Sequence, residues 1–167
     1  INIKEADVKS FDLLEYFKFD TVNDLNKFLY LEAPLEVFGH ADQLHDGIMN
    51  QFNHFYMDIK DLTDHQIEIV SREVDKSIPS TFFFLSKLGC KAENIRFVTK
   101  PEDKWDGIDV LITANPIALN SKPPGKISVK VKASYNQDVK ADFEIDSLMD
   151  FIKDETLRDR ILNTKIT

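Results

Sequence analysis

The sequence predicts an α/β protein built on parallel strands, and three observations carry that reading. Short β-branched runs recur at 67–71, 95–98 and 109–113. A helical pattern closed by a glycine lies between the first two runs. The third run is near-continuously apolar, as strands covered on both faces are. The intervening stretches, 72–94 and 99–108, leave room for one full helical crossover and one shorter link, so parallel βαβ pairing is the economical topology.

The elements follow in chain order. Thr21 precedes Val22, Leu25, Phe28 and Leu29 at near-helical spacing, with Asp24 where a capping-box acid stands, which predicts a short helix. Beyond Pro34 and Gly39, one stripe runs through Leu44, Ile48, Phe52 and Phe55. Asp42, Asp46, Asn50 and Asn53 fall on the other side, so an amphipathic helix is expected over 41–57. Pro79 near a start, the apolar run 81–85 and Gly89 just past Lys87-Leu88 predict a third helix with a glycine stop. Residues 127–132 alternate as a strand, 141–145 supply another, and 147–153 with 156–162 read as a helical end. No internal repeat or long linker interrupts the pattern.

Composition bounds the function. A chain of 167 residues with 43% hydrophobic and 30% charged residues, 5 Gly and 6 Pro suits one ordinary domain with a real core. No apolar run approaches the roughly 18 residues of a membrane span, and the opening Ile1-Asn2-Ile3-Lys4-Glu5 lacks the order of a signal peptide, so a soluble intracellular protein is expected. The single cysteine, Cys90, excludes an internal disulfide framework and a thiolate-rich zinc site. Charge is uneven: residues 1–84 carry net -9, residues 85–167 net +1. Beyond the short stretch 122–132 there is no basic footprint for a nucleic-acid backbone, so no nucleic-acid partner is expected.

Four histidines, His40, His45, His54 and His65, invite a metal site, but no HExxH or His-x-His pair is present and His54 falls half a turn from His45 on a helix. Surface or capping roles are expected, and no metal. Phe82-Phe83-Phe84 with Phe52, Phe55 and Tyr56 lack basic interleaving and read as core. Cys90 follows a helix end, where nothing activates a thiol, and reads as buried and inert. The sharpest local feature is 106–116, a buried strand running into Thr113-Ala114-Asn115-Pro116. That places small polar groups at the carboxyl edge of the sheet, where open α/β proteins bind ligands, and Ser71 ends the first strand toward the same edge.

From Ile67 onward the order of pieces resembles the haloacid dehalogenase-like hydrolases, and within them the 5'(3')-deoxyribonucleotidase group. The resemblance rests on the strand ending at Ser71, the helix ending Leu85-Ser86-Lys87-Leu88-Gly89 and the strand 94–98. It continues with Trp105 leading into Asp109-Val110-Leu111-Ile112 and Pro116, then Ser134-Tyr135-Asn136 ahead of Ser147-Leu148. It implies a Rossmann-like parallel sheet of that type, with residues 1–66 as an N-terminal segment and small helical cap and 67–167 as one compact α/β core. The family's chemistry takes an Asp nucleophile with a second Asp two positions on, a Ser/Thr, a Lys, and acids after the third strand that hold magnesium.

Here only the Ser/Thr element is in place, as Ser71. Residues 1–20 hold no Asp-x-Asp pair, Ser80 stands where the helix-start lysine belongs with Lys76 nearby, and Thr113-Ala114 replace the metal-holding acids. The resemblance therefore implies a vestigial pocket of Ser71, Lys76, Ser80, Thr113 and Asn115, with no catalytic residues and no cofactor. The expected role is a non-catalytic interaction or structural protein whose partners are other protein chains, as in a bacteriophage assembly, in the cytoplasm or a virion. The alternative is a magnesium-dependent deoxynucleotide phosphatase with a rearranged acid set. A third reading, a nucleotide sensor without turnover, requires Ser71, Thr113 and Asn115 to share one pocket.

Overall fold

The structure, a computed structural model, describes residues 7–42, 46–74 and 76–164. The class is mixed α/β with short, wholly parallel sheets. The chain gathers into two compact units, one of residues 19–99 and one of 1–18 with 100–167, so the strand and helix of 67–99 group with the preceding helices.

In the unit 19–99, Thr21 caps helix α1 (Val22–Lys27). Its hydroxyl accepts from the Asp24 N–H at 3.2 Å and donates to the Asp24 carboxylate at 2.6 Å, so the acid binds the cap's side chain where a capping box would bind its backbone N–H. Wide π-type turns follow at Phe28–Glu32 and Leu35–Gly39. Helix α2 spans Ile48–Leu62, seven residues later at its start than the expected 41. The reason is Gly47, whose φ of 78° ends the preceding turn in a left-handed conformation that glycine adopts without strain. Leu44, part of the expected stripe, lies outside the described residues.

The buried face of α2 also differs from the expected one. Tyr56 and Ile59 are buried, and Asn53, placed by periodicity on the solvent side, is 5% exposed. It is buried because it is satisfied: its amide donates to the Gly89 carbonyl at 2.8 Å and accepts from the Lys91 N–H at 2.8 Å. The Tyr56 hydroxyl accepts from the Glu93 N–H at 3.1 Å, so two side chains of α2 hold the 89–93 turn.

Strand β1 (Ile69–Arg72), helix α3 (Ser77–Lys87) and strand β2 (Ile95–Val98) form the expected parallel βαβ unit, with Ile69 opposite Ile95 and Ser71 opposite Phe97. Helix α3 ends as predicted. Gly89 at φ 71° donates to Ser86 O and Cys90 N donates to Leu85 O, the paired bonds of a Schellman stop. Gly39 answers a different need, since a Cβ there would sit 2.6 Å from Leu35 Cδ1 and 3.2 Å from Phe83 Cδ1. The aromatic run departs from expectation. Phe82 and Phe83 remain 47% and 44% exposed, Phe82 with the Phe97 ring at 5.2 Å and Phe83 with His40 at 5.5 Å. Three successive aromatics on a helix point over some 200° of arc, and here Leu85, not the phenylalanines before it, reaches the core. Cys90 is half-buried, because it sits in the solvent-facing stop itself.

In the other unit, a 3-10 turn (Pro101–Trp105) leads to β3 (Val110–Thr113), α4 (Pro116–Asn120), β4 (Ile127–Val131), β5 (Phe143–Ile145), α5 (Leu148–Lys153) and α6 (Glu155–Leu162). The sheet order is β3-β4-β5, all parallel, with Val110 opposite Ile127 and Val129 opposite Phe143. The fully covered strand is the central β4, whereas β3, on the edge, buries only Leu111. Trp105, Leu111 and Ala118 pack together, and the Trp105 indole donates to the Ala118 carbonyl at 2.7 Å.

Burial of β4 takes in Ser128 and Lys130, which alternation assigns to a wet face. Ser128 donates its N–H at 2.7 Å and its hydroxyl at 2.9 Å to Asp142, and Lys130 donates to Val139 O at 2.7 Å and Glu144 at 2.6 Å. A capping box of Ser147 and Asp150 opens α5. Tyr16 accepts from the N–H groups of Lys9 and Ser10 at 2.7 Å each, and Ser134 donates to the Val8 carbonyl, which ties 7–18 to this unit.

Among the described residues no helix is long and apolar enough to cross a membrane. His40, His54 and His65 are exposed, and His45 lies outside the described residues.

Candidate functional site

Ser71 stands near the carboxyl end of β1 and Thr113 at that of β3, with Lys76 and Ser80 at the start of α3 and Asn115 capping α4. Ser71, Lys76 and Ser80 belong to the unit 19–99, Thr113 and Asn115 to the other.

At the end of β1 the Ser71 hydroxyl donates to Glu73 Oε1 at 3.3 Å. Glu73 is 8% exposed, and its other oxygen, Oε2, is buried with no hydrogen-bond partner among the described residues. A carboxylate withdrawn from water without a full set of donors is a costly feature, and it places an acid beside Ser71. Burial pushes the nearby Tyr30 phenol above its ordinary range, with Glu73 adding to the rise and Arg72 opposing it. Ser77 and Ser80 are buried and face backbone: Ser77 donates to Val74 O at 2.6 Å and Ser80 to Lys76 O at 3.4 Å. Lys76 is exposed.

At the end of β3 the side chains bind local backbone. Thr113 Oγ1 accepts from the Asn115 N–H at 3.1 Å, and Asn115 Oδ1 accepts from Ile117 and Ala118 N–H at 2.9 and 3.1 Å, capping α4 ahead of Pro116 at its first position. Asn136, 1% exposed, closes the gap between neighbouring strand ends. Its amide donates to Ala114 O and Val131 O at 2.9 Å each and accepts from the Ala133 N–H at 2.9 Å. The two side-chain oxygens at this strand end, Thr113 Oγ1 and Asn115 Oδ1, thus both accept from local backbone N–H groups.

At the opposite, amino edge of the same sheet, Lys122 and Ser128 hold Asp142. Desolvation pushes that carboxyl up, but the Ser128 N–H, the Lys122 ammonium and the Ser128 hydroxyl outweigh it and hold the group below its ordinary value. Among the described residues no group of three or more His, Cys, Asp and Glu side chains is disposed to hold a metal ion.

Glu73 and Asn136 are the two residues that sequence reasoning did not assign a role at these strand ends. Asn115-Pro116 did carry a readable signal, since Asn before Pro is a helix-start pair. Nothing in the sequence separates Glu73 from the other acids of the front half. No family model, curated protein or solved structure matches the chain.

Proposed function

We propose that this chain is a non-catalytic protein of the dehalogenase-like type, a scaffold that works through interaction with other protein chains. The observation that carries the reading is the engagement of Thr113 and Asn115. The family's metal-holding carboxylates belong at 113–114, and in their place are a threonine and an alanine beside an asparagine that caps α4. A phosphate dianion entering beside Ser71 would also face the buried Glu73 carboxylate, a like charge at hydrogen-bond range of the Ser71 hydroxyl. The parallel β1-α3-β2 and β3-α4-β4 units support the fold assignment. Exposed Phe82 and Phe83 on α3 support the interaction role.

The test has two arms. Purified protein with magnesium and deoxynucleoside monophosphates is expected to release phosphate at the blank rate, whereas magnesium-dependent turnover abolished by Ser71→Ala would establish the phosphatase. Mass in solution, read by light scattering with and without Phe82→Asp and Phe83→Asp in the presence of native neighbours, is expected to show an assembly that the variants weaken. A folded wild type that stays monomeric among those neighbours removes the interaction reading.

A further inference from the structure

In a chain of net charge -8, one concavity is lined by cations. It lies in the unit formed by 1–18 and 100–167, at the carboxyl end of β4, and has a volume of about 580 Å3. Lys9, Lys130 and Lys132 line it with a single carboxylate, Glu144, together with Ser134, Asn136 and Gln137. The geometry points to a binding site for a small multivalent oxyanion, one that carries phosphate or carboxylate groups.

Four features support this. The volume is that of a small-molecule site, in the range of roughly 300–1,000 Å3. The position is the carboxyl edge of a parallel sheet, where a strand's end and the loop after it face a ligand. One cation is prepositioned: the Lys130 side chain is 3% exposed, and two of its three ammonium protons go to Val139 O and Glu144, which leaves one donor. The other two lysines are exposed, but their backbones are held in place. Lys9 N–H is held by Tyr16 at 2.7 Å, and Lys132 N–H donates to Ile145 O at 2.8 Å. Lys132 pairs with Asp146, and Lys130 with Glu144, so Lys9 is the cation left over to attract an incoming anion.

Two of the three neutral polar side chains of the lining, Ser134 and Asn136, do not compete for that role. The Ser134 hydroxyl donates to the Val8 carbonyl, and both Asn136 amide protons go to backbone carbonyls. Recognition therefore falls to the ammonium groups, which attract charge without selecting geometry closely, with the Gln137 amide beside them. None of these residues is among those expected from the sequence to form the pocket, although Lys130 lies opposite Thr113 in the sheet and Asn136 reaches Ala114 O.

Glu144 gives the proposal a test with an unusual sign. It is the one carboxylate of the lining and holds Lys130 by charge, so it opposes an anion on both counts. The experiment titrates 15N-labelled full chain with inorganic phosphate, with succinate and, at matched ionic strength, with sodium chloride, following the amides of 132–137. Saturable shifts are expected with phosphate or succinate and not with chloride. Lys9→Ala should weaken binding by about tenfold, the scale of one partly screened ion pair, and Glu144→Gln should strengthen it severalfold. Saturation by phosphate alone assigns the site to phosphate-bearing ligands, and saturation by both probes to oxyanions in general. Shifts that follow chloride equally, or a Glu144→Gln protein that is folded by circular dichroism and binds no tighter, overturn the proposal.

Discussion

Asn136 is the joint between two strand ends, and its removal is the most quantitative test of the fold. Asn136→Ala deletes three hydrogen bonds of 2.9 Å each, to Ala114 O, Val131 O and Ala133 N–H, at a site 1% exposed. At a net worth of about 1 kcal/mol per bond the loss is about 3 kcal/mol. For a chain of this length, that corresponds to a fall in Tm of roughly 6–12 °C. Two companion variants separate the contributions. Asn136→Leu loses the same bonds while keeping volume, so it should lie near the alanine value and show that packing is the smaller part. Asn136→Asp keeps the acceptor for Ala133 N–H but sets a carboxylate oxygen against two carbonyls, and should be worse than alanine at neutral pH. Thermal melts give the magnitudes, and amide exchange gives the site: Ala133 N–H should lose protection in Asn136→Ala. A melting shift under about 2 °C with that amide still protected would refute the reasoning, because the three bonds would then contribute nothing that water does not replace.

Other perturbations follow from single features. Gly89→Ala should lower stability by about 1–2 kcal/mol in denaturant melts, a purely conformational effect, since no atom lies within 4 Å of the added Cβ while φ is +71°. Glu73→Met should raise the melting temperature, because it removes an oxygen that is buried without a donor and keeps the volume; a fall would mean that Oε2 has a partner in solution. Asp142 titrates below its ordinary 3.8, so its contribution is complete above that value and is lost as pH falls through the depressed one. Asp142→Asn should accordingly flatten the stability profile below about pH 4, and an unchanged acid limb would show that the Ser128 and Lys122 bonds do not persist in solution.

Much of the fold was legible because it depends on local signals. The strands at 69–72, 95–98, 110–113, 127–131 and 143–145 fall where β-branched runs were read, and Gly89 stops α3 as glycine after a lysine-bearing last turn should. What was not legible depends on partners far along the chain. Asn53 has a polar side chain on a helix, and only the Gly89 carbonyl and Lys91 N–H, more than thirty residues away, make its burial favourable. Ser128 and Lys130 are buried for the same reason, with Asp142, Val139 and Glu144 as the partners. Phe82 and Phe83 fail in the opposite direction: hydrophobicity predicts burial, but a helix lends only part of its circumference to the core. At the strand ends, Thr113 and Asn115 were read by type as ligand groups, whereas their geometry makes them caps.

The unit that joins residues 1–18 to 100–167 has a consequence for the order in which the protein is made. The carbonyl of Val8 leaves the ribosome 126 residues before Ser134, whose hydroxyl binds it, and Phe11 similarly precedes Tyr135, its ring neighbour. At about 5–20 residues per second, that partner arrives roughly 6–25 s later. In the interval every partner within 19–99 has already been synthesised, down to Val98 opposite Arg72. The inserted unit can therefore close while the flanking one still lacks β3, β4 and β5. Residues 7–18 are then synthesised before the inserted unit but held only after it.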